Sequence, residues 1–449
     1  MAFKRDLLEK LMLWKKSTNR KPLVIEGARQ VGKTWLMKEF GRTCFEQFTY
    51  INFEQLNLQD VFAEKNPHAI IQQLALISGN KIDPQTTLLI FDEIQECKPA
   101  LNALKYFYEQ LPELAIVAAG SLLGVSMAAG DSFPVGKVEH MTLYPLTFKE
   151  YLSMVDEAMY NHLSNRQVGE AIATTLEERI KRYFDDYRIC GGMPEAAMCM
   201  ANGEGVEAVE KVQSNILKDY QLDFSKHASK TIIPRIGHIY RSIPSQLSKE
   251  NRKFVYQLVK QGARAREYED ALQWLRQAGL IHQVYLNKTP NIPLSAYDDL
   301  SAFKIYLSDI GLLRKLAEVP AAALVAKDDV IGYREFKGAF AENYVLQSLS
   351  TQSTVNLRYW TSNNSAEVDF LLQYDTHILP IEVKSGKSTS SRSLTLYNAD
   401  KHPVLRIRYS DKDLKLDDNL LNIPLYMADW TFQLIQSLIV KVTSINSTF

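Results

Sequence analysis

The stretch "LVIEGARQVGKTWLMKEF", residues 23–40, constrains this chain more than any other part of it. Leu23 to Ile25 read as a buried strand, Gly27 to Thr34 fit GxxxxGK[ST], and Leu36, Met37 and Phe40 follow as the apolar positions of a helix. A strand that breaks into a glycine loop and restarts as a helix predicts an α/β core. Gly27 and Gly32 let the backbone curl, so that the amides of Ala28, Arg29, Gln30 and Val31 between them face a phosphate, and the new helix adds its positive N-terminal end. Lys33 is placed to reach β- and γ-phosphates, and Thr34 to ligate magnesium through its hydroxyl.

Such a site needs a second strand that brings an acid to the metal. "TTLLIFDEIQE" supplies it: the apolar run Leu88 to Phe91 ends in Asp92 and Glu93, at the C-terminal edge of the expected strand. Asp92 is expected to hold the magnesium from its outer sphere, and Glu93 to act as the base that orients a water. A third run, "LAIVAAGS", ends at Ser121, which either senses the γ-phosphate or the water, or simply closes a strand. The adjacent acids suit hydrolysis better than transfer to a small-molecule acceptor, which would also call for an acceptor pocket and a set of arginines.

"GARQVGKT", "LLIFDE" and "VAAGS" resemble the Walker A loop, Walker B strand and sensor 1 strand of AAA-type P-loop ATPases. Three further stretches, "SFPVGKVEHMTLYPLTFKEYL", "YRICGGMPEA" and "FKIYLSDIGLL", extend the resemblance to the bacterial and archaeal AAA-14 type ATPases with a C-terminal DUF4143 region. It covers nearly the whole chain and implies ATP and Mg2+ as ligands and ATP hydrolysis as the activity. Engines of this type use an arginine finger across a subunit interface, so a homo-oligomer is open. Arg182 and Arg188 are the finger candidates, and Lys137 in "PVGKV" stands where related sequences look Arg-like.

From about Tyr151 to Asp223 the pattern is helical, broken at Gly191, Gly192 and Pro194, which read as turn geometry; this part fits a lid beside the nucleotide. "IPRIGHIYRSIPSQL", "RKFVYQLVKQ" and "REYEDALQWLRQAGL" then read as three short amphipathic helices, followed by a hairpin turning at "NKTPN". Three helices and a hairpin make a winged-helix plan. The net charge of the chain is zero, yet Lys226 to Lys288 holds twelve Lys or Arg against four acids. That surplus suits contact with DNA, with Arg252, Lys253, Arg264, Arg266 and Lys288 on phosphates. Glu267, Glu269 and Asp270 on the third helix would repel a groove, so a protein-packing role for the module stands beside the DNA one.

The C-terminal part carries a second acid pattern. A helix is expected from about Ala339, with Phe340, Tyr344, Leu346 and Leu349 inward and Glu342 near its start. "AEVDFLLQY" and "ILPIEVKSGK" read as strands joined by a tight turn, with Asp369 on the first and Glu382 and Lys384 on one face of the second. Two carboxylates can hold magnesium against a phosphodiester while a lysine orients water. The set Glu342, Asp369, Glu382 and Lys384 resembles the PD-(D/E)XK nuclease-like fold, with Val-Asp where that pattern has Pro-Asp. Three roles are open: an active metal-dependent nuclease, a nuclease-like fold whose acids serve structure or regulation, and charged protection of a sheet edge.

At 449 residues the chain is expected to form several domains: 1–150 the P-loop ATPase core, 151–225 the helical lid, 226–322 the winged-helix-like segment, and 323–449 the α/β restriction-endonuclease-like domain. Cys44, Cys97, Cys190 and Cys199 show neither zinc-ligand nor disulfide spacing. No run of about 18 apolar residues would span a bilayer, and the N-terminus lacks the uninterrupted core of a signal peptide. A cytoplasmic ATPase coupled to a DNA-directed or nuclease-like C-terminal region, without membrane contact, is the expectation; its rival is an ATP-dependent switch whose inert nuclease-like domain acts by DNA or protein binding.

Overall fold

The computed structural model describes residues 4–120, 134–249, 252–326, 334–352, 356–362, 366–386 and 390–446. The chain divides into two compact units, one made of residues 2–145 with 273–280, the other of 146–272 with 281–449.

The first unit is built on five strands, β1 (Leu23–Glu26), β2 (Gln47–Asn52), β3 (Thr87–Asp92), β4 (Ala115–Ala119) and β5 (Glu139–Thr142), in the order β2-β3-β4-β1-β5. Every pairing is parallel. Parallel sheets are covered on both faces, which is why β3 and β4 are buried along their whole length and read as unbroken apolar runs rather than alternating ones. The helix Lys33–Cys44 buries Leu36, Met37 and Phe40 completely. Phe53, Phe62, Phe91 and Phe107 pack edge to face in the core that also takes the helix Lys98–Gln110. Because all five strands point the same way, the loop after β1 and the acids at the end of β3 emerge at one edge of the sheet, where α/β folds bind ligands.

In the second unit the helices Phe148–Val155, Glu157–Asn165, Thr174–Cys190, Pro194–Ala201 and Val206–His227 occupy the stretch predicted to be helical. The three short helices predicted next are Ile233–Leu247, Tyr256–Val259 and Ala265–Gln277, whose last residues belong to the first unit. The remaining strands are β6 (Ile281–Asn287), β7 (Asp298–Leu307), β8 (Arg358–Ser362), β9 (Ala366–Tyr374), β10 (His377–Val383), β11 (Arg406–Ser410), β12 (Lys415–Asp417) and β13 (Leu420–Pro424). They form one mixed sheet in the order β12-β13-β11-β10-β9-β8-β6-β7.

Here tertiary pairing adds what local pattern does not contain. The hairpin β6–β7 lies in the same sheet as the C-terminal strands, since Tyr285 and Leu286 pair in parallel with Arg358 and Tyr359 across the boundary expected at 322/323. The long helix starts at Arg334, not near Ala339, and is buried on more than its apolar side. Its polar residues act as joints. Asn343 exchanges two hydrogen bonds of 2.8 Å with the backbone of Leu307, Gln347 accepts from Ile310 N at 2.9 Å, and Ser348 donates to Asp429. Among the described residues no helix is long and apolar enough to cross a membrane, and all four cysteines are unpaired.

Candidate nucleotide site and the C-terminal acids

The loop after β1 has the geometry its glycines require. Gly27 has φ 144° and Gly32 φ 94°, both positive, and a Cβ at Gly27 would lie 2.2 Å from the carbonyl oxygen of Leu143, inside contact distance. Gly32 is the cap of the helix Lys33–Cys44, so the helix starts where the loop ends. The loop is held from outside by Arg5, a buried side chain that donates to Val31 O at 3.0 Å and Tyr144 O at 2.6 Å. On another side, Gly279 approaches so closely that a Cβ there would sit 3.1 Å from Ala28 N. Neither Arg5 nor Gly279 carries a motif, and sequence reasoning missed both.

Lys33 donates to the carbonyls of Gly27 and Ala28, each at 2.8 Å. Burial pulls its ammonium down to about 8, against the opposing pull of Glu93 and Asp92. Thr34 Oγ1 donates to Asp92 Oδ2 at 2.7 Å, so the hydroxyl and carboxylate expected to share magnesium, 58 residues apart in sequence, meet directly. Asp92 Oδ1 accepts from Glu93 N at 3.2 Å. Glu93 itself stands at φ 52°, a conformation that costs a non-glycine residue about 1 kcal/mol or more, and its Oε2 accepts from Gln95 at 2.7 Å. A strained acid immediately beyond the strand turns its side chain out of the strand's alternation. Ser121 lies outside the described residues.

Of the finger candidates, Arg188 donates to Leu324 O and pairs with Asp185 at 3.5 Å, and Arg182 is exposed; Lys137, at the position where related sequences look Arg-like, pairs with Glu109 at 2.9 Å.

The C-terminal acids are placed differently from the nucleotide site. β9 and β10 form the expected hairpin, and Lys384 reaches Glu382 Oε1 at 2.6 Å. Burial raises the Glu382 carboxyl above its ordinary range, with Lys384 opposing and Asp369 reinforcing the shift. Asp369 Oδ2 accepts from Val383 N at 2.7 Å. Glu342, buried on its helix, is taken by other partners: Arg252 pairs with Oε1, and Tyr306 donates to Oε2 at 3.2 Å. Among the described residues no three His, Cys, Asp or Glu side chains are gathered to hold a metal ion. Arg252, expected on a DNA phosphate, instead neutralises the acid expected on a metal. Lys288 likewise pairs with Asp299 at 2.6 Å, whereas Arg264 and Arg266 are exposed.

Residues 19–152 match the AAA domain family AAA_14, 181–323 a domain of unknown function, DUF8612, and 337–427 another, DUF4143. The chain combines an AAA_14 domain with a DUF4143 domain. The uncharacterized protein MJ1637 of Methanocaldococcus jannaschii is 26% identical over 200 residues, 40% of this chain, and the match spans 41% of that relative's length. Similar solved structures include the Walker-type ATPase PABY2304 of Pyrococcus abyssi, 14% identical, with a TM-score of 0.44 over 70% of this chain and 96% of that one. Another is PCH-2 of C. elegans, 11% identical, with a TM-score of 0.27 over 47% of this chain and 68% of that one.

The match to DUF8612 takes in two of the stretches behind the resemblance, "YRICGGMPEA" and "FKIYLSDIGLL", and the structure packs them together. They meet at Asp309, which is buried and accepts from Gly192 N at 2.6 Å and Leu312 N at 2.8 Å. Gly191 must lack a side chain there, because its Cβ would fall 2.4 Å from Asp309 Oδ1. Arg314, 1% exposed, donates to Ile189 O, Glu210, Val319 O and Gln213, while Gln213 donates to the carbonyls of Ile189 and Cys190 at 3.0 Å. Gln347, in the DUF4143 domain, adds a hydrogen bond to Tyr187 at 3.0 Å. These residues join the helices 174–190 and 206–227 to the elements that follow β7, which makes the motif a buried junction.

Proposed function

We propose that the AAA_14 domain binds ATP with magnesium and hydrolyses it. The observation that carries this reading is the 2.7 Å hydrogen bond between Thr34 and Asp92 at the mouth of a loop whose lysine is buried beside it. The donor set fits the ligand: loop amides and the helix N-terminus for phosphate oxygens, Lys33 for their charge, and a hydroxyl paired with a carboxylate for a hard divalent cation. Thr34 Oγ1 would ligate magnesium and Asp92 would hold it through water; bound there, the ion supplies neutralisation of the phosphate charge. Lys33 would exchange the carbonyls of Gly27 and Ala28 for phosphate oxygens. Glu93 would then take the proton of the attacking water, and its position beyond the strand end supports that role. Glu93→Gln is expected to lower phosphate release by roughly 10²–10³-fold and to leave nucleotide affinity within about threefold, because it removes a base and not a phosphate contact. Equal turnover by the variant would remove Glu93 from the mechanism.

For the DUF4143 domain, the occupied state of Glu342 favours a binding role over a cutting one. A metal site would have to draw Glu342 away from Arg252 and Tyr306, and leaving the mostly buried Arg252 without its partner would cost about 3–5 kcal/mol. ATP binding or turnover would then alter how this domain meets its target. DNA contact would rest on the exposed Lys253, Arg264 and Arg266. Full-length protein is expected to leave plasmid and linear DNA intact with magnesium, with or without ATP. Cleavage by the wild type that Asp369→Ala abolishes would establish a nuclease instead.

A further inference from the structure

The strand beside the Asp92 strand carries a phenol that no part of the P-loop motif requires. Tyr50 lies on β2, which pairs with β3 so that Asn52 is opposite Asp92. Its hydroxyl donates to Asp92 Oδ2 at 2.8 Å, the same oxygen that accepts from Thr34. Asn52 Nδ2 in turn donates to the Tyr50 hydroxyl at 3.2 Å. The Asn52 amide has one orientation, because its Oδ1 accepts from Glu54 N at 2.9 Å and Gln55 N at 3.2 Å. Proton directions along the chain are therefore fixed: backbone amides to Asn52, Asn52 to Tyr50, Tyr50 to Asp92.

One more feature supports a polar role. Lys38 lies 3.7 Å from the centre of the Tyr50 ring, and it stands four residues after Thr34, on the same face of its helix. A cation over the ring draws electron density from the phenol and makes its hydroxyl a stronger donor. Asp92 then has both oxygens committed: Oδ2 to two hydroxyls and Oδ1 to the Glu93 amide.

We propose that Tyr50 is a positioning residue for magnesium: held by Asn52 beneath Lys38, its hydroxyl fixes the Asp92 carboxylate in the orientation that the Thr34 site needs. This inference rests on the ATP reading above. With Tyr50 absent, Thr34 alone would orient Oδ2, and the carboxylate could turn toward solvent. Such a loss is expected in magnesium affinity, because partners that orient a metal-holding group typically contribute about 10–100-fold to it.

The test is Tyr50→Phe in the full chain, which keeps the ring and the cation contact and removes only the hydroxyl. Binding of a fluorescent ATP analogue is measured across magnesium concentrations and in EDTA, with phosphate release followed in parallel. The magnesium concentration at half-maximal enhancement of binding is expected to rise roughly tenfold. Affinity in EDTA should stay within about twofold, and saturating magnesium should restore most of the turnover. Asn52→Ala, which frees the hydroxyl to rotate, should shift the same midpoint in the same direction by less. A midpoint within about twofold of the wild type for Tyr50→Phe overturns the inference, as does a drop in turnover that magnesium does not restore. Absence of hydrolysis in the wild type, with magnesium-dependent binding intact, would overturn the ATPase reading and leave the Tyr50 comparison decisive.

Discussion

Lys33→Ala is expected to lower ATP affinity by about 100-fold and phosphate release by a further 10²–10³-fold, measured by titration calorimetry and by a phosphate-release assay on the full chain. The size follows from where the ammonium sits. Lys33 is 6% exposed and hydrogen-bonded to two carbonyls of the loop that a phosphate would enter, so alanine removes a desolvated charge and slackens the loop together. The same burial gives the binding a pH dependence. Because the free site holds its lysine down near 8, the charge is present below that pH and lost as pH rises through it, and a phosphate binds only the charged form well. Affinity should therefore be level from about pH 6 to 7 and decline through pH 8 to 9, a range where an ordinary lysine would show no change. A level profile to pH 9.5, or phosphate release retained by Lys33→Ala, would remove the lysine from the site.

The second large effect is expected far from any phosphate. Asp309→Ala should lower the thermal unfolding midpoint of the 146–272 and 281–449 unit by roughly 6–10 °C, corresponding to about 3–5 kcal/mol. Alanine leaves Gly192 N and Leu312 N buried without an acceptor, and each orphaned amide costs about 1–3 kcal/mol. The carboxyl is also buried enough to be raised to about 6, with the backbone amides of Leu312, Gly192 and Gly311 opposing the shift. A raised acid binds its proton more tightly folded than unfolded. Its contribution to stability is complete below about pH 4 and is lost as pH rises through 6. Urea unfolding between those limits should show that slope in the wild type and lack it in Asp309→Asn. A midpoint unchanged by Asp309→Ala would mean that water satisfies the two amides.

The contrast between the two sites shows how far a linear pattern reaches. Gly27, Gly32, Lys33 and Thr34 are contiguous, and their chemistry depends on backbone curvature that glycine spacing specifies, so the loop was legible residue by residue. Asp92 was legible because an apolar run ending in an acid marks a buried strand and its exit. Tyr50, Asn52, Arg5 and Gly279 reach the site only through strand order and packing. Their one visible sign is the alternation that puts Tyr50 and Asn52 on the same face at the end of a strand.

The C-terminal acids show the reverse case. The hairpin carrying Asp369, Glu382 and Lys384 was readable from alternation and the intervening turn, since a period of two and a tight reversal are local properties. What the acids touch was not readable, because Arg252 and Tyr306 reach Glu342 from 90 and 36 residues away. Sequence by itself determined the α/β character, the phosphate loop, the acid that faces it and the hairpin, all of which follow from short-range periodicity and residue chemistry. Only the tertiary structure decided that the 281–307 hairpin joins the C-terminal sheet, that Asp309 and Arg314 build a junction, and that a basic residue closes over Glu342. Strand partners and charge partners are chosen by the free energy of burying them together, and that depends on residues far apart in the chain.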